Sequence, residues 1–491
     1  MADRDDVGRE TRAGIVWSTA SFVGTKALTF VSTVALARLL APSDFGVVAA
    51  ILVVVGVLEL LSDLGMRSVV VYEQEEGVTP RVQTAYTVNL LIAAALTGVA
   101  VLTAPLTAAF FGMEEHTWLF RLAALSLLLT GLGNIHDSLL LRSLRFRRRA
   151  VPEIARTSVR AGVSVALAIA GLGAEAMIYG VLAGGAAWVL SLWTLSPFRP
   201  TLRLDPAILR SMAGYGGAAA LLELLGIVGS RADIFVIGRM LGERVLGVYS
   251  VATRIPELII ENVAWNVSVV AFPALSRQRT IDSGGMAALT LGLLRWQAVY
   301  ALPVGVGLAV LAEPIMVVLF GEVWREGAGV LAAIAIMSAI GAVTFPIGDV
   351  FKALGQQRRL VAINLVAIPL FVAAIIVAAP AGIVLVAWVR AITRSLFGAV
   401  VVADAARIAG IRWRAVVGAL GPGLGAALGV AAGAGAVRLA MPEAELVPLL
   451  AGTLAGGAGG IAGLRLLAPV AFGELRRLVT RREAPAPAGV S

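Results

Sequence analysis

The feature that most constrains this chain is a succession of apolar stretches, most of them about twenty residues or longer. They lie near 13–38, 44–66, 82–104, 117–141, 152–172, 176–196, 209–238, 245–273, 287–312, 327–351, 360–380, 382–403, 415–437 and 446–471. A helix needs ~20 apolar residues to cross the hydrocarbon core of a bilayer. Fourteen membrane-spanning helices are therefore expected. Of 491 residues, 59% are hydrophobic and only 14% charged, against about 25% charged in ordinary soluble domains. No soluble core hides that much apolar surface, so the solvent for most of this chain is lipid. The first stretch, running to about Leu40, is too long for a signal-peptide core and lacks a small-residue cleavage site. It reads as a retained first span. The tail from Arg481 to Ser491, RREAPAPAGVS, is expected to be disordered.

Composition also excludes chemistry. The absence of cysteine removes disulfides, thiolate nucleophiles and thiolate metal sites. Two histidines, His116 and His136, are too few for most zinc or iron sites. The chain has no GxxxxGK[ST] loop, no HExxH and no GxSxG. The segments between spans reach only roughly fifteen residues, which leaves little room for a soluble catalytic domain. No catalytic group, cofactor or metal is therefore expected. The reading is a transporter and not an enzyme. The net charge of +9 fits loops facing an anionic leaflet better than nucleic acid.

Charge also orients the spans. With the N-terminus in the cytoplasm, alternation places 25 of the 40 Lys and Arg residues on the cytoplasmic side. Five, namely Arg38, Arg239, Arg244, Arg325 and Arg438, fall outside. That bias is the positive-inside pattern, and it puts both termini in the cytoplasm.

An internal repeat is visible. Ala37-Arg38-Leu39-Leu40 with Phe45-Gly46-Val47 matches Gly238-Arg239-Met240-Leu241 with Leu246-Gly247-Val248. Phe111-Gly112 matches Phe320-Gly321, and Arg142, Leu144 and Arg148 match Lys352, Leu354 and Arg358. Ordered matches at nearly constant offset imply two six-helix lobes in parallel repeat. The expected division is an N-lobe over 1–200, a C-lobe over 201–405, and 406–491 holding two further helices and the tail. Those last helices carry Gly421, Gly425, Gly429 and Gly433, and Gly452, Gly456 and Gly460, at spacings of four. Such faces permit close backbone approach. The simpler reading is that the two helices pack on each other; a dimer surface is the alternative.

Ionisable residues at membrane depth cost a few kcal/mol or more unless they meet water or a partner. Span 1 carries Ser18, Ser21, Thr25 and Ser32 with Lys26 beside them; span 5 carries Arg156, Arg160 and Ser164; span 8 carries Arg254, Glu257 and Glu261; span 9 carries Arg295, Trp296 and Tyr300. Helical spacing makes the first three into stripes. A cationic aqueous cavity between the lobes is the simplest arrangement that accommodates them. With Trp265, Trp296 and Tyr300 nearby, it suits an anionic head group carrying sugars. Lys26, Arg160, Arg254, Arg295, Glu257 and Glu261 are the substrate-cavity candidates. Structural alternatives stand beside this: Arg156 snorkels, Arg254 with Glu257 is an internal ion pair, and Asp349 is solvated at the inner end of span 10.

The run Leu36-Ala-Arg-Leu-Leu-Ala-Pro-Ser-Asp-Phe-Gly46 resembles the signature after the first helix of polysaccharide-biosynthesis flippases. So do Leu246-Gly-Val-Tyr-Ser-Val-Ala-Thr-Arg-Ile-Pro256 and the basic run Leu144-Arg-Phe-Arg-Arg-Arg149. The resemblance covers nearly the whole chain. It is to the oligosaccharide flippase family of the multidrug/oligosaccharidyl-lipid/polysaccharide exporter superfamily. It implies a fourteen-helix, two-lobed exporter in the bacterial cytoplasmic membrane, working by alternating access. The implied cargo is an undecaprenyl-diphosphate-linked oligosaccharide, with coupling to a polysaccharide polymerase and glycosyltransferases. A peptidoglycan lipid-precursor flippase and an ion-coupled multidrug exporter are the alternatives. The deep groups are mostly cationic, which disfavours a carrier of cationic drugs.

Overall fold

The computed structural model describes residues 2–63, 79–142, 146–206, 226, 229, 231–279, 283–442, 444–469 and 472–473. Most of the span expected at 209–238, part of the basic run 144–149, the Ser18 side chain and the tail from Arg481 lie outside these residues. Every described element is helical or a connecting turn. The reason is physical: hydrocarbon offers no hydrogen bonds, and a helix satisfies its backbone internally.

The helices are α1 (Ala2–Leu39), α2 (Pro42–Asp63), α3 (Thr79–Phe111), α4 (Thr117–Arg142), α5 (Phe146–Ile169), α6 (Ala174–Leu195), α7 (231–241) and α8 (Glu243–Pro256). They continue with α9 (Asn262–Arg279), α10 (Ser283–Val310), α11 (Ala328–Thr344), α12 (Ile347–Ala353), α13 (Gln357–Ala378), α14 (Ile383–Ile408), α15 (Trp413–Ala440) and α16 (Leu446–Leu467). Twelve helical runs among the described residues are long and apolar enough to cross a membrane. The chain is a multi-pass integral membrane protein. The fifth expected span is α5, which is long enough but carries five arginines and Glu153.

The chain divides into two compact units, residues 1–250 and 251–491. In the first, α5 packs against α1 and α6, α3 against α4, and α2 against α3, α4 and α6. In the second, α10 packs against α11 and α15, α11 against α14, and α15 against α16. Its core includes Ile260, Leu294, Ala298, Phe351 and Val402.

The repeat acquires a physical meaning here. A Cβ added to Gly46 would lie 1.8 Å from the carbonyl oxygen of Glu243, and one added to Gly247 would lie 1.7 Å from that of Pro42. The start of α2 and the start of α8 thus cross with reciprocal contacts. The motif recurs because each copy forms half of one self-complementary crossing. The Phe111-Gly112 and Phe320-Gly321 matches are a shared chain-turning device. Each phenylalanine is buried, and each glycine takes a positive φ, 68° and 114°, which side-chain-bearing residues rarely adopt.

The glycine-faced pair packs on itself. A Cβ at Gly429 would sit 1.9 Å from the Gly459 carbonyl oxygen, and one at Gly433 would sit 2.2 Å from that of Ala455. The α16 face in the seam also uses Gly459 and Gly463. An ion network ties this hairpin to the rest of the second unit. Arg325 pairs with Glu313, with Glu322 at 2.6 Å and with Glu445 at 2.9 Å, and Arg438 also pairs with Glu313. Gly429→Val forces the seam apart. It is expected to lower the thermal midpoint in detergent by several degrees, as overpacking costs about 1–3 kcal/mol. Gly421→Ala meets nothing within 4 Å and is the silent control.

Candidate functional site

The sequence-predicted residues fall into two groups, one in each unit. In the first unit, Lys26 is half-buried on α1, with Nζ 5.4 Å from the centre of the Phe22 ring. Ring faces attract cations, which steadies the ammonium at depth. The hydroxyls of Thr25, Thr29 and Thr33 donate to carbonyl oxygens four residues back, at 2.8–2.9 Å. That satisfies a polar face within its own helix.

On α5 the expected stripe runs along the seam with α6. Arg156 stacks its guanidinium 5.3 Å over the Trp188 ring. Arg160 and Ser164 lie opposite Gly184 and Gly180: a Cβ at Gly184 would fall 2.8 Å from Arg160 Cβ, and one at Gly180 would fall 1.9 Å from Ser164 Oγ. The α6 glycines, spaced four apart, let the cationic face of α5 approach the α6 backbone. Ser164 is buried, whereas Arg160 stays exposed.

The Leu36–Gly46 motif positions this seam. Asp44 accepts the Ala41 N–H at 2.9 Å and the Ala174 N–H at 3.0 Å. One carboxylate therefore serves the turn before α2 and the N-terminus of α6. Gly173 admits it, since a Cβ there would lie 2.6 Å from Asp44 Oδ1. Carboxylates at helix N-termini satisfy orphan N–H groups and complement the helix dipole.

Other ionisable groups of α2 and α4 have structural partners. Thr130 donates to Glu59 at 3.0 Å. Asp137 accepts two hydrogen bonds from Arg149, at 2.9 and 3.2 Å. His136 is fully buried among the Tyr86, Trp193 and Phe198 rings, pointing away from the Asp137 pair's chemistry as adjacent helical residues do.

In the second unit, Pro256 is followed by a single π-helical turn, Glu257–Glu261. Such turns widen the helix and recur at functional sites. Arg254 and Glu257 pair at 3.3 Å, with 43% and 35% of their side chains exposed. Glu261 is turned elsewhere and accepts the Ser338 hydroxyl of α11 at 2.6 Å. The expected stripe of three is therefore two arrangements: an ion pair and a carboxylate held by a neighbouring helix. Tyr300 Oη donates to the Ile259 carbonyl at 2.5 Å, which ties α10 to the π turn. Arg295 is half-buried on α10, with Trp296 exposed beside it. Gln297, buried, donates to the Ala342 carbonyl at 3.3 Å. Trp265 and Phe345 are exposed and lie 5.8 Å apart, ring centre to ring centre.

One expectation is corrected. Asp349 is not solvated: it is 2% exposed, accepts the Ser268 hydroxyl, and pairs with Lys352 at 3.0 Å. Ser268 lies 81 residues away, so local sequence gave no sign of the partner. Ser338, Phe345 and Trp188 were missed for the same reason.

These features define a class: a helical membrane protein of transporter architecture with polar faces at membrane depth. The fold is that of the lipid II flippase MurJ in an inward closed conformation, with a TM-score of 0.74, 13% identity, and coverage of 94% of this chain and all of that one. An inward-facing multidrug resistance MATE family transporter of the MOP superfamily gives 0.63 at 16% identity, covering 78% of this chain and 94% of that one. The chain belongs to the polysaccharide biosynthesis protein family, whose model matches residues 35–329. Among curated relatives, the succinoglycan biosynthesis transport protein ExoT of Rhizobium meliloti is 31% identical, over 66% of this chain and 65% of its own length. The teichuronic acid biosynthesis protein TuaB of Bacillus subtilis is 23% identical, over 61% and 62%. Each alignment thus spans under two thirds of the relative. The lipopolysaccharide biosynthesis protein WzxC of Escherichia coli is 22% identical over 75% of both chains.

Asp44→Ala removes the shared cap. The expected loss is about 1–2 kcal/mol, read as a lower thermal midpoint in detergent. Asp44→Asn, which keeps one of the two acceptor oxygens, is expected to recover only part of it.

Proposed function

We propose that this protein is a flippase that carries a polyprenyl-diphosphate-linked oligosaccharide across the cytoplasmic membrane for surface polysaccharide biosynthesis. The observation that carries this reading is the retention of cations on membrane-spanning helices of a polysaccharide biosynthesis protein. Lys26 and Arg160 lie in one unit, Arg254 and Arg295 in the other. Each ionised group at the bilayer centre costs about 3 kcal/mol on insertion scales. A chain that keeps several has a use for them, and a diphosphate is the anion that guanidinium groups bind well.

The lipid tail stays in hydrocarbon while the sugar-diphosphate head passes along the polar faces. Arg254 is held out by its i, i+3 partner Glu257, and an incoming diphosphate competes with that carboxylate for the same guanidinium. Such a pair releases the head group more readily than an isolated arginine would, because the carboxylate reclaims its partner. Alternating access completes the cycle, with polymerase and glycosyltransferases of the pathway consuming and supplying the lipid. The fourteen-span count and cytoplasmic termini belong to the same reading.

The test is the double variant Arg160→Ala/Arg295→Ala in the native cell. Surface polysaccharide is expected to fall at least tenfold while membrane levels of folded protein hold. The Lys/Lys variant is expected to keep part of the activity. Normal export by the folded alanine variant would sink the assignment of these cations to the substrate path.

A further inference from the structure

We propose that Trp265 and Phe345 form a stacking platform for a pyranose ring of the transported saccharide, with Glu261 and Asn266 as its hydrogen-bonding edge. This rests on the flippase reading above and adds to it a site for the sugar.

Both rings are open at the surface of the helices that carry them. Trp265 is 62% exposed and Phe345 41%, and their planes meet at 55°. They come from α9 and from the residue after α11, so the pairing is tertiary. Large exposed aromatics in membrane proteins are commonly interfacial anchors or lipid-facing filler, and neither role fits Trp265.

Position argues against an anchor. Trp265 lies in the membrane-spanning run Glu243–Gln278, thirteen residues from the nearer end. At 1.5 Å per residue that is about 20 Å of helix, more than three turns inside the run.

Neighbours argue against filler. Glu261, Trp265 and Ser268 follow one another at helical spacings of four and three, so they share a face. Glu261 is exposed, and Ser268 donates to the buried Asp349. Asn266, also exposed, follows Trp265 and bonds through Nδ2 to the Asn262 carbonyl at 2.9 Å. A carboxylate and an amide presented to hydrocarbon beside the indole would each cost several kcal/mol. This face therefore opens to water, and the rings stand in it.

An apolar ring pair in a wet, polar setting matches a pyranose. One face of the sugar presents C–H groups, which lie well on the electron-rich face of an aromatic ring. Its rim carries hydroxyls that need acceptors and donors. Ser338 fixes Glu261 through Oε1 at 2.6 Å, leaving the second carboxylate oxygen as a strong acceptor for a sugar hydroxyl. Trp265 and Arg254 are eleven residues apart, or about 16 Å along the helix. That separation leaves room for a short saccharide between the stacked ring and a diphosphate at the guanidinium.

The experiment measures binding of two kinds of probe by the full chain in nanodiscs. One is undecaprenyl diphosphate without sugar. The other is a set carrying glucose, galactose or N-acetylglucosamine. The wild type is expected to bind at least one sugar-bearing probe about tenfold more tightly than the bare lipid. Trp265→Leu is expected to erase that difference and leave binding of the bare lipid unchanged; Trp265→Phe is expected to keep most of it. The platform is overturned if no sugar improves binding, or if Trp265→Leu weakens the bare lipid equally. Wild type that binds neither kind of probe would overturn the flippase reading itself.

Discussion

A charged or hydrogen-bonding group in hydrocarbon must find a partner or reach water, and that single demand organises this molecule. It makes every described element helical, because only internal pairing satisfies a backbone there. It also explains the fate of side chains at depth. Asp137 is paired bidentately by Arg149, and Asp349 is bonded by Ser268 and Lys352. Arg156 lies over the Trp188 ring. Where the demand is met so fully, the group is part of the scaffold. Where it is met in part, as at Arg254, Glu257 and Glu261, the remaining capacity is available to a ligand.

Glycine is the counterpart of this rule, since backbones in lipid associate by close approach and not by hydrophobic exclusion. Several seams use it, among them α5 with α6, α10 with α15, α15 with α16, and the crossing of α2 with α8. At the last, Gly46 and Gly247 each face the carbonyl oxygen of the other segment's residue four positions before its glycine. The repeat in the sequence is thus under a geometric constraint that neither copy can leave alone. A larger residue at either glycine would collide with main chain, which cannot rotate out of the way.

Much of this was legible from sequence because it depends on local periodicity or on composition. The helices followed from apolar length, and the packing of α15 on α16 followed from glycines four apart. The motif Leu36–Gly46 was recognisable, but the work of Asp44 was not. Its second partner, Ala174, lies 130 residues away. The same barrier hid Ser338 from Glu261, 77 residues distant, and it made Asp349 look solvated when a helix from elsewhere in the sequence covers it. Sequence periodicity reports which way a residue points, and it is silent on what waits there.

The π turn at Glu257–Glu261 shows how even periodicity fails locally. Reading Arg254, Glu257 and Glu261 as one stripe assumes 3.6 residues per turn throughout. A π turn holds one residue more than an α turn, so everything beyond it is rotated by about 100° from the extrapolated position. Glu261, the last residue of the turn, meets Ser338, while Arg254 and Glu257, both at or before its start, keep their i, i+3 contact. The arrangement has a consequence for function. Glu257 balances the cation, and Glu261 is held by Ser338 one helical turn before Trp265. In the flippase we propose, the anion-binding position at Arg254 and the hydroxyl-binding position at Glu261 therefore lie before and at the end of one π turn of the same helix.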